Sequence, residues 1–161
     1  MKTFVITIGC ASLVSLPAGT ASKDQTFVDE ASRGGKMEVE LGQLAQRNAS
    51  SSAVREFGAR MVKDHARLNN ELGSVATSIG LTVPTNLLSG QQSEYTKLSK
   101  LSGKKFDKEY MDLMVKDHVS DLSAFQKEES STQDPKLRAA IATAIPVIRE
   151  HLNMAKSDSR Q

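Results

Sequence analysis

The residues best suited to chemistry in this sequence are its three histidines, His65, His118 and His151. Each lies in a separate amphipathic segment, and imidazole nitrogens bind first-row divalent metal ions. Glu38 lies on the apolar stripe of a fourth segment, where an unpaired carboxylate would be costly. Each of the four segments therefore contributes one candidate ligand.

Helical periodicity predicts that these side chains point inward. At about 100° per residue, His118 falls in the middle of the apolar arc of its segment, and His65 lies within the arc of its own. His151 is about 60° from Ile148 and so lies nearer the edge of its stripe. Glu38 shares the line of the apolar residues that precede and follow it. We therefore expect all four side chains in the interior.

The four positions also lie at similar heights. Glu38 is about 12 residues before the turn between the first two segments, and His65 is about 14 residues after it. At 1.5 Å per residue, their heights along the helix axes differ by roughly 3 Å. His118 and His151 lie about 14 and 17 residues into their own helices. The sequence thus predicts one divalent metal site at mid-height, formed by Glu38, His65, His118 and His151. These ligand types suit Zn, Fe, Mn or Cu(II).

The alternative interpretation is a non-catalytic structural or stress-related interaction protein with a metal-free interior. The buried glutamate could pair with one histidine while the others bond to Asp64, Asp117, Asp121 or a carbonyl, giving a polar layer that sets the helix register. Binding of another small ligand is a third reading, because buried polar groups need partners but not necessarily a metal. Asp64 and Asp117 point about 100° away from the histidines that follow them, so we interpret them as solvated or supporting groups.

An exact repeat surrounds two of the histidines. The sequence MVKDH occurs at residues 61–65 and again at 114–118, and the same register pairs Phe57 with Tyr110. This match indicates a shared role in the middle of two helices. The methionine of each repeat is expected to fill the core, although histidine with methionine would also suit Cu(I).

Four long helices are predicted to position these residues. They extend over residues 24–49, 53–79 and 104–131 and from Pro135 onward. The connection over 81–102 holds a short helical stretch near 93–101 and is far longer than a helix hairpin needs. The pattern predicts an all-α, ferritin-like four-helix bundle with a long central crossover that contains a short helix; an up-down-up-down bundle is the alternative.

Glycine and proline mark two unusual positions within these helices. Gly34 and Gly35 interrupt the first helix at roughly 1 kcal/mol each relative to alanine, so we expect a close packing contact there. Pro146 lies inside the last helix and is expected to bend it, because proline cannot donate to the carbonyl of Ala142.

The composition is that of one globular domain, with 161 residues, 39% hydrophobic and 25% charged. The 21 basic and 19 acidic residues are interspersed and leave a net charge of +2, so nucleic-acid binding is not expected. The sequence contains no glycine-rich phosphate loop, no Gly-x-Ser-x-Gly and no His-Glu-x-x-His. Enzyme activity is therefore left undecided, as the weakest of the functional readings.

The first 21 residues are predicted to be a secretory signal peptide. Lys2 precedes an apolar run over 3–16, and small residues after Pro17 offer a cleavage point before Ser22. The run of about 14 residues is too short to span a bilayer as a helix. We therefore expect a periplasmic or secreted domain over residues 22–161 with no transmembrane segment, and association with the cell envelope stays open.

The only cysteine, Cys10, lies within this predicted signal peptide. Its removal would leave a mature chain without thiols, which excludes disulfides and thiolate metal sites. Lipidation of Cys10 is a less favoured alternative, because the apolar stretch before it is short and the residues around it match an acylation site poorly.

Four stretches of the chain resemble a known family. They are GGKMEVELGQLA (34–45), VREFGARMVKDHARLNNEL (54–72), LSGKKFDKEYMDLMVKDHVSDLSAF (101–125) and IPVIREHL (145–152). Over residues 25–156 the chain is similar to a widespread bacterial family of exported ferritin-like proteins, labelled a domain of unknown function and described as outer-membrane or periplasmic proteins. The resemblance implies the ferritin-like fold and export but supplies no activity.

The chain departs from the di-iron branch of that wider superfamily. Glu-x-x-His pairs would require glutamate three residues before each histidine, where this chain has Val62, Val115 and Ile148. Two metal ions need about four carboxylates, and only Glu38 is well placed. Ferroxidase or di-iron oxygenase chemistry is therefore not expected.

Overall fold

The structure is a computed structural model that describes residues 18–158, with side chains from residue 23. Residues 1–17 of the expected signal peptide, including Cys10, lie outside the described part. Within that part the chain forms five helices and no strand, which confirms the all-α prediction. The helices are α1 (Ala18–Asn48), α2 (Ser52–Ser78), α3 (Ser89–Ser99), α4 (Gly103–Ser131) and α5 (Pro135–Asp158).

Helix bounds differ from the predicted ones mainly at two N-termini. α1 begins at Ala18 rather than at residue 24, because the small and polar residues expected to form a cleavage region are also compatible with a helix. α3 begins at Ser89 rather than near residue 93. α5 continues through Pro146. None of the described helices combines the length and the apolarity that crossing a membrane requires.

α1 runs antiparallel to both α2 and α4. α2 follows α1 after a three-residue turn and packs back along it. Asp24 near the start of α1 accepts a hydrogen bond from Thr132 just after α4, whereas Ser50 just after α1 donates one to Asp107 near the start of α4. α2 and α4 therefore point in the same direction.

The connection between α2 and α4 extends along α1. At one end Gln25 donates a hydrogen bond to the carbonyl of Thr82, and at the other Asn48 donates one to the carbonyl of Leu101, at 2.9 and 2.8 Å. The intervening stretch of α1 is about 35 Å long at 1.5 Å per residue. The segment that contains α3 is thus a crossover, which allows two parallel helices to follow each other in sequence.

The four long helices pack as α1 on α2, α2 on α5, α5 on α4 and α4 on α1. Their apolar side chains form a larger cluster toward one end, around Phe57, Phe106 and Met61, and a smaller one toward the other, around Phe27 and Ile141. Burial of each such side chain contributes about 1.5–3 kcal/mol. The four predicted site residues lie between the two clusters.

Glycines bring α1 and α2 into close approach. A Cβ added at Gly58 would lie 2.8 Å from the backbone oxygen of Gly42, so the two helix backbones touch there. A Cβ at Gly35 would meet the amide of Asn69 at 2.1 Å, whereas one at Gly34 would have no neighbour within 4 Å. The expected close contact therefore involves Gly35 and not Gly34.

Candidate metal centre

The structure brings together the four residues that periodicity singled out. Glu38 is on α1, His65 on α2, His118 on α4 and His151 on α5, and none is more than 5% exposed. His151 was expected nearer the edge of its apolar stripe but is completely buried. The difference arises because α5 packs against both α2 and α4, which covers a wider face of the helix than one neighbour would.

Two of the histidines have one ring nitrogen held by a hydrogen bond. Nδ1 of His65 is 2.9 Å from Oε2 of Glu38, and Nδ1 of His118 is 2.9 Å from the carbonyl oxygen of Met114. A carbonyl can only accept, so Nδ1 of His118 must carry the proton. A carboxylate likewise accepts, so Nδ1 of His65 is the donor to Glu38. In both neutral rings the lone pair is then on Nε2.

His151 is held by the opposite nitrogen. Its Nε2 donates to Oδ2 of Asp64 at 3.0 Å, which leaves the lone pair on Nδ1. Asp64 is fixed in turn by Arg60, whose Nε lies 3.1 Å from the same carboxylate oxygen. These two partners lower the pKa of Asp64 against the opposing effect of burial, so it stays ionised and accepting. Asp64 thus fixes the orientation of the His151 ring.

The three rings lie close together, and each has one nitrogen that is not yet accounted for. Nε2 of His65, Nε2 of His118 and Nδ1 of His151 are buried, and none has a hydrogen-bond partner among the described residues. One nitrogen of each histidine lies within 4.8 Å of one nitrogen of each of the others. Clustered imidazole nitrogens with lone pairs that lack a donor are suitable ligands for a cation. The three buried histidines could therefore hold a metal ion.

Burial keeps these rings in the neutral form that binds metals. It lowers the pKa of His65 to about 4, although the charges of Asp121 and Asp64 act in the opposite direction. Burial also lowers the pKa of His118 and of His151, against the effects of nearby carboxylates. At neutral pH each ring keeps one lone pair, so no proton has to leave an imidazole nitrogen before an ion binds.

The second oxygen of Glu38 points toward the same region. Oε1 lies 3.5 Å from Nε2 of His118 and is buried without a hydrogen-bond partner. Two ligands bound at about 2.0–2.1 Å to one tetrahedral ion are about 3.4 Å apart. Oε1 and Nε2 of His118 thus have the spacing of two ligands of a single ion, while Oε2 of Glu38 holds His65.

A small contraction would complete the geometry. An ion at the centre of a triangle of nitrogens with sides of 4.8 Å would be about 2.8 Å from each, compared with about 2.0–2.1 Å in zinc–imidazole bonds. Each ring therefore needs to move inward by at most about 0.7 Å. Side-chain rotation can provide this shift without a change in helix packing.

Asp121 is a neighbour of the site that sequence reasoning named only as one alternative partner for a histidine. Its carboxyl group forms a hydrogen bond with Glu38, and burial, together with the charges of Glu38 and Asp117, raises the pKa of Asp121 to about 8. Burial raises the pKa of Glu38 to about 7, which the charge of His118 opposes. The pair therefore shares a proton near neutral pH. Asp121 follows His118 by three residues, close to one helical turn, and this spacing is the signal that could have placed it beside the site.

Comparison with known proteins identifies the family. The chain belongs to the family described as "Domain of unknown function (DUF4142)", which matches residues 12–157. No curated protein and no solved structure was found to match it. The resemblance noted from the four sequence stretches is thus confirmed as far as a domain-of-unknown-function family.

Proposed function

We propose that this protein is an exported ferritin-like four-helix protein that binds one divalent transition metal ion. The ligands are His65, His118 and His151, with Glu38 as the fourth. The observation that carries the proposal is the cluster of three buried histidines, which have ring nitrogens within 4.8 Å of one another and one nitrogen each without a hydrogen-bond partner among the described residues. A buried polar atom without a partner costs about 1–3 kcal/mol, and a bound ion would remove this cost at all three nitrogens.

The hydrogen bonds around the rings favour a metal over a metal-free polar layer. A layer that only sets helix register would be expected to pair both nitrogens of each ring. Here each histidine uses one nitrogen on a carboxylate or a backbone carbonyl and keeps the other buried without a hydrogen-bond partner. Metal-binding histidines have this arrangement, because the partner of the outer nitrogen fixes the tautomer and the ring orientation.

The ligand set favours Zn(II), Fe(II), Mn(II) or Cu(II). Imidazole suits each of these ions, and one carboxylate completes a four-coordinate site. A single ion fits better than two, because Glu38 is the only carboxylate among the four proposed ligands, whereas two ions need about four carboxylates. A site closed by four protein ligands leaves no open position for a substrate, so we propose binding and assign no reaction.

Export to the periplasm or the exterior is proposed from the first 21 residues. They combine a basic start, a short apolar run and small residues before Ser22. The test is to express the full chain, fractionate the cells and sequence the N-terminus of the recovered protein. A mature protein that starts at Ser22 in the periplasm or medium is expected, and an intact N-terminus in the cytoplasm would contradict export.

Metal content tests the binding proposal directly. The metal content of wild-type protein purified without chelator is measured by mass spectrometry. His118→Ala and the control Glu128→Gln are purified and measured in the same way. Glu128 is also a buried polar residue but lies outside the site, near the end of α4. About one ion per chain is expected in the wild type and the control, and none in His118→Ala. Metal at background level in all three proteins would refute the proposal.

A further inference from the structure

A cavity on the side covered by the crossover reaches Glu38, the proposed ligand on α1. It has a volume of about 290 Å³ and lies between α1, α3 and α4. Five carboxyl groups line it, and none of the described lining residues is basic; we name it the acidic cleft, and its acids are Glu30, Glu38, Glu94, Asp117 and Asp121. A chain with a net charge of +2 thus concentrates negative charge at one place beside the site.

The acids form a gradient from solvent to the metal centre. Glu30 is exposed, Glu94, Asp117 and Asp121 are half-buried, and Glu38 is only 4% exposed. Oε1 of Glu38 has no hydrogen-bond partner and lies 3.5 Å from Nε2 of His118. The buried end of the cleft is therefore itself a candidate ligand of the ion. This unpartnered oxygen distinguishes the cleft from an ordinary group of surface acids.

The other opening toward the histidines is a poor route for a cation. The neighbouring cavity, which shares Gly34, Glu38 and Asp121 with the cleft, reaches His65 but has a volume of only about 30 Å³. Its lining is largely apolar, from Leu68, Ala144 and Ile148 among others. One water molecule takes up about 30 Å³ and six take up about 180 Å³. Of these two cavities, only the acidic cleft has room for an ion that still carries its water.

We propose that the acidic cleft is the path by which a hydrated divalent cation reaches the histidines. The inference rests on the proposed metal site and adds how the ion arrives there. A cleft lined by one sign of charge and bounded by apolar walls focuses the field and raises the rate at which counter-ions arrive. The ion is held loosely with its water near Glu94 and Asp117, and it exchanges this water for Glu38 and the imidazole nitrogens.

The test compares loading rates in two double variants with equal net charge. Glu30→Gln/Glu94→Gln removes two charges from the cleft, and Glu40→Gln/Glu56→Gln removes two from positions outside it. The full-length apoprotein is mixed with cobalt chloride, and the absorption of bound Co(II) is followed by stopped flow. At low salt we expect the cleft variant to load about five- to tenfold more slowly than the control variant. Near 1 M salt, where the Debye length is about 3 Å, the two rates should converge.

A steric variant provides an independent measurement. Gly34 lines the cleft and has no atom within 4 Å of an added Cβ, so Gly34→Leu introduces a bulky side chain at the path. Loading should be slower than in wild type at all salt concentrations, with Gly90→Leu as a control whose added Cβ also faces open space.

The outcomes separate the two proposals. Cobalt binding with equal rates in the cleft and control variants, and no delay in Gly34→Leu, would overturn the path and leave the metal site intact. Failure of the wild type to bind cobalt at all would overturn both.

Discussion

Replacement of His118 by leucine should stabilise the protein without metal while abolishing its response to metal. His118 is fully buried, with Nε2 unpartnered and Nδ1 bonded to a helix carbonyl. Removal of the orphaned nitrogen recovers about 1–3 kcal/mol, and loss of the Nδ1 bond costs about 1 kcal/mol. The Met114 carbonyl keeps its place in the helix, so His118→Leu leaves no new unpaired group. We expect a net gain of up to about 2 kcal/mol, or up to about 8 °C in melting temperature.

Bound metal should reverse the order of the two melting temperatures, so that wild type becomes the more stable protein. An ion present at about 1,000 times its dissociation constant adds about 4 kcal/mol to the stability of a protein that binds it only when folded. For a chain of this length the gain corresponds to about 8–16 °C. Wild-type protein with zinc should therefore melt above His118→Leu, although without zinc it melts below.

Circular dichroism melts in EDTA and in zinc chloride measure both effects on the same samples. Met111→Leu serves as the control, because it exchanges one buried apolar side chain for another and should change stability by less than about 1.5 kcal/mol. If His118→Leu melts below wild type in EDTA, and zinc shifts neither protein, the histidines are a structural polar layer and the proposed site is wrong.

Three further predictions concern neighbouring features. Gly34→Ala should raise the free energy of unfolding by up to about 1 kcal/mol, because alanine has a higher helix propensity and its Cβ meets no neighbouring atom. Gly58→Ala should lower the free energy of unfolding by about 1–3 kcal/mol, because its Cβ meets the α1 backbone. Urea denaturation of both variants measures these two effects. Asp64→Ala removes the acceptor from one histidine and should weaken Co(II) binding about 10–100-fold in a competition titration, and unchanged affinity would contradict the supporting role. Burial and a hydrogen bond with Asp24 raise the pKa of Glu128, so the folded state binds the proton of this carboxyl group more tightly than the unfolded state does. The protonated Glu128 therefore contributes to stability at low pH, and this contribution is lost as pH rises through the raised pKa. Melting temperatures at several pH values should therefore fall less steeply in Glu128→Gln than in wild type.

The sequence predicted which side chains point inward but not how the helices meet. Periodicity gives the direction of a residue about its own axis, which was sufficient for His65 and His118. It does not give the rotation of one helix against the next, so the depth of His151 and the pairing of Glu38 with Asp121 could not be predicted. The acidic cleft could not be predicted from the sequence either, because it depends on where α3 lies relative to α1 and α4.

The contact between Gly42 and Gly58 was missed for a related reason. Each glycine alone reduces helix propensity, and only the crossing of α1 and α2 shows that the two backbones touch there. Gly34 and Gly35 stand out in the sequence because they are adjacent. Helix contacts depend instead on which residues face a neighbour, and of these two only Gly35 does so.

The proposed ligands are far apart in the chain, with 27 residues from Glu38 to His65, 53 to His118 and 33 more to His151. No local segment contains two of them, so a nascent or unfolded polypeptide offers no chelate. Affinity arises only when the last helix docks. A chain that crosses a membrane before it folds would therefore acquire its ion from the compartment in which it folds, and not from the one in which it was synthesised.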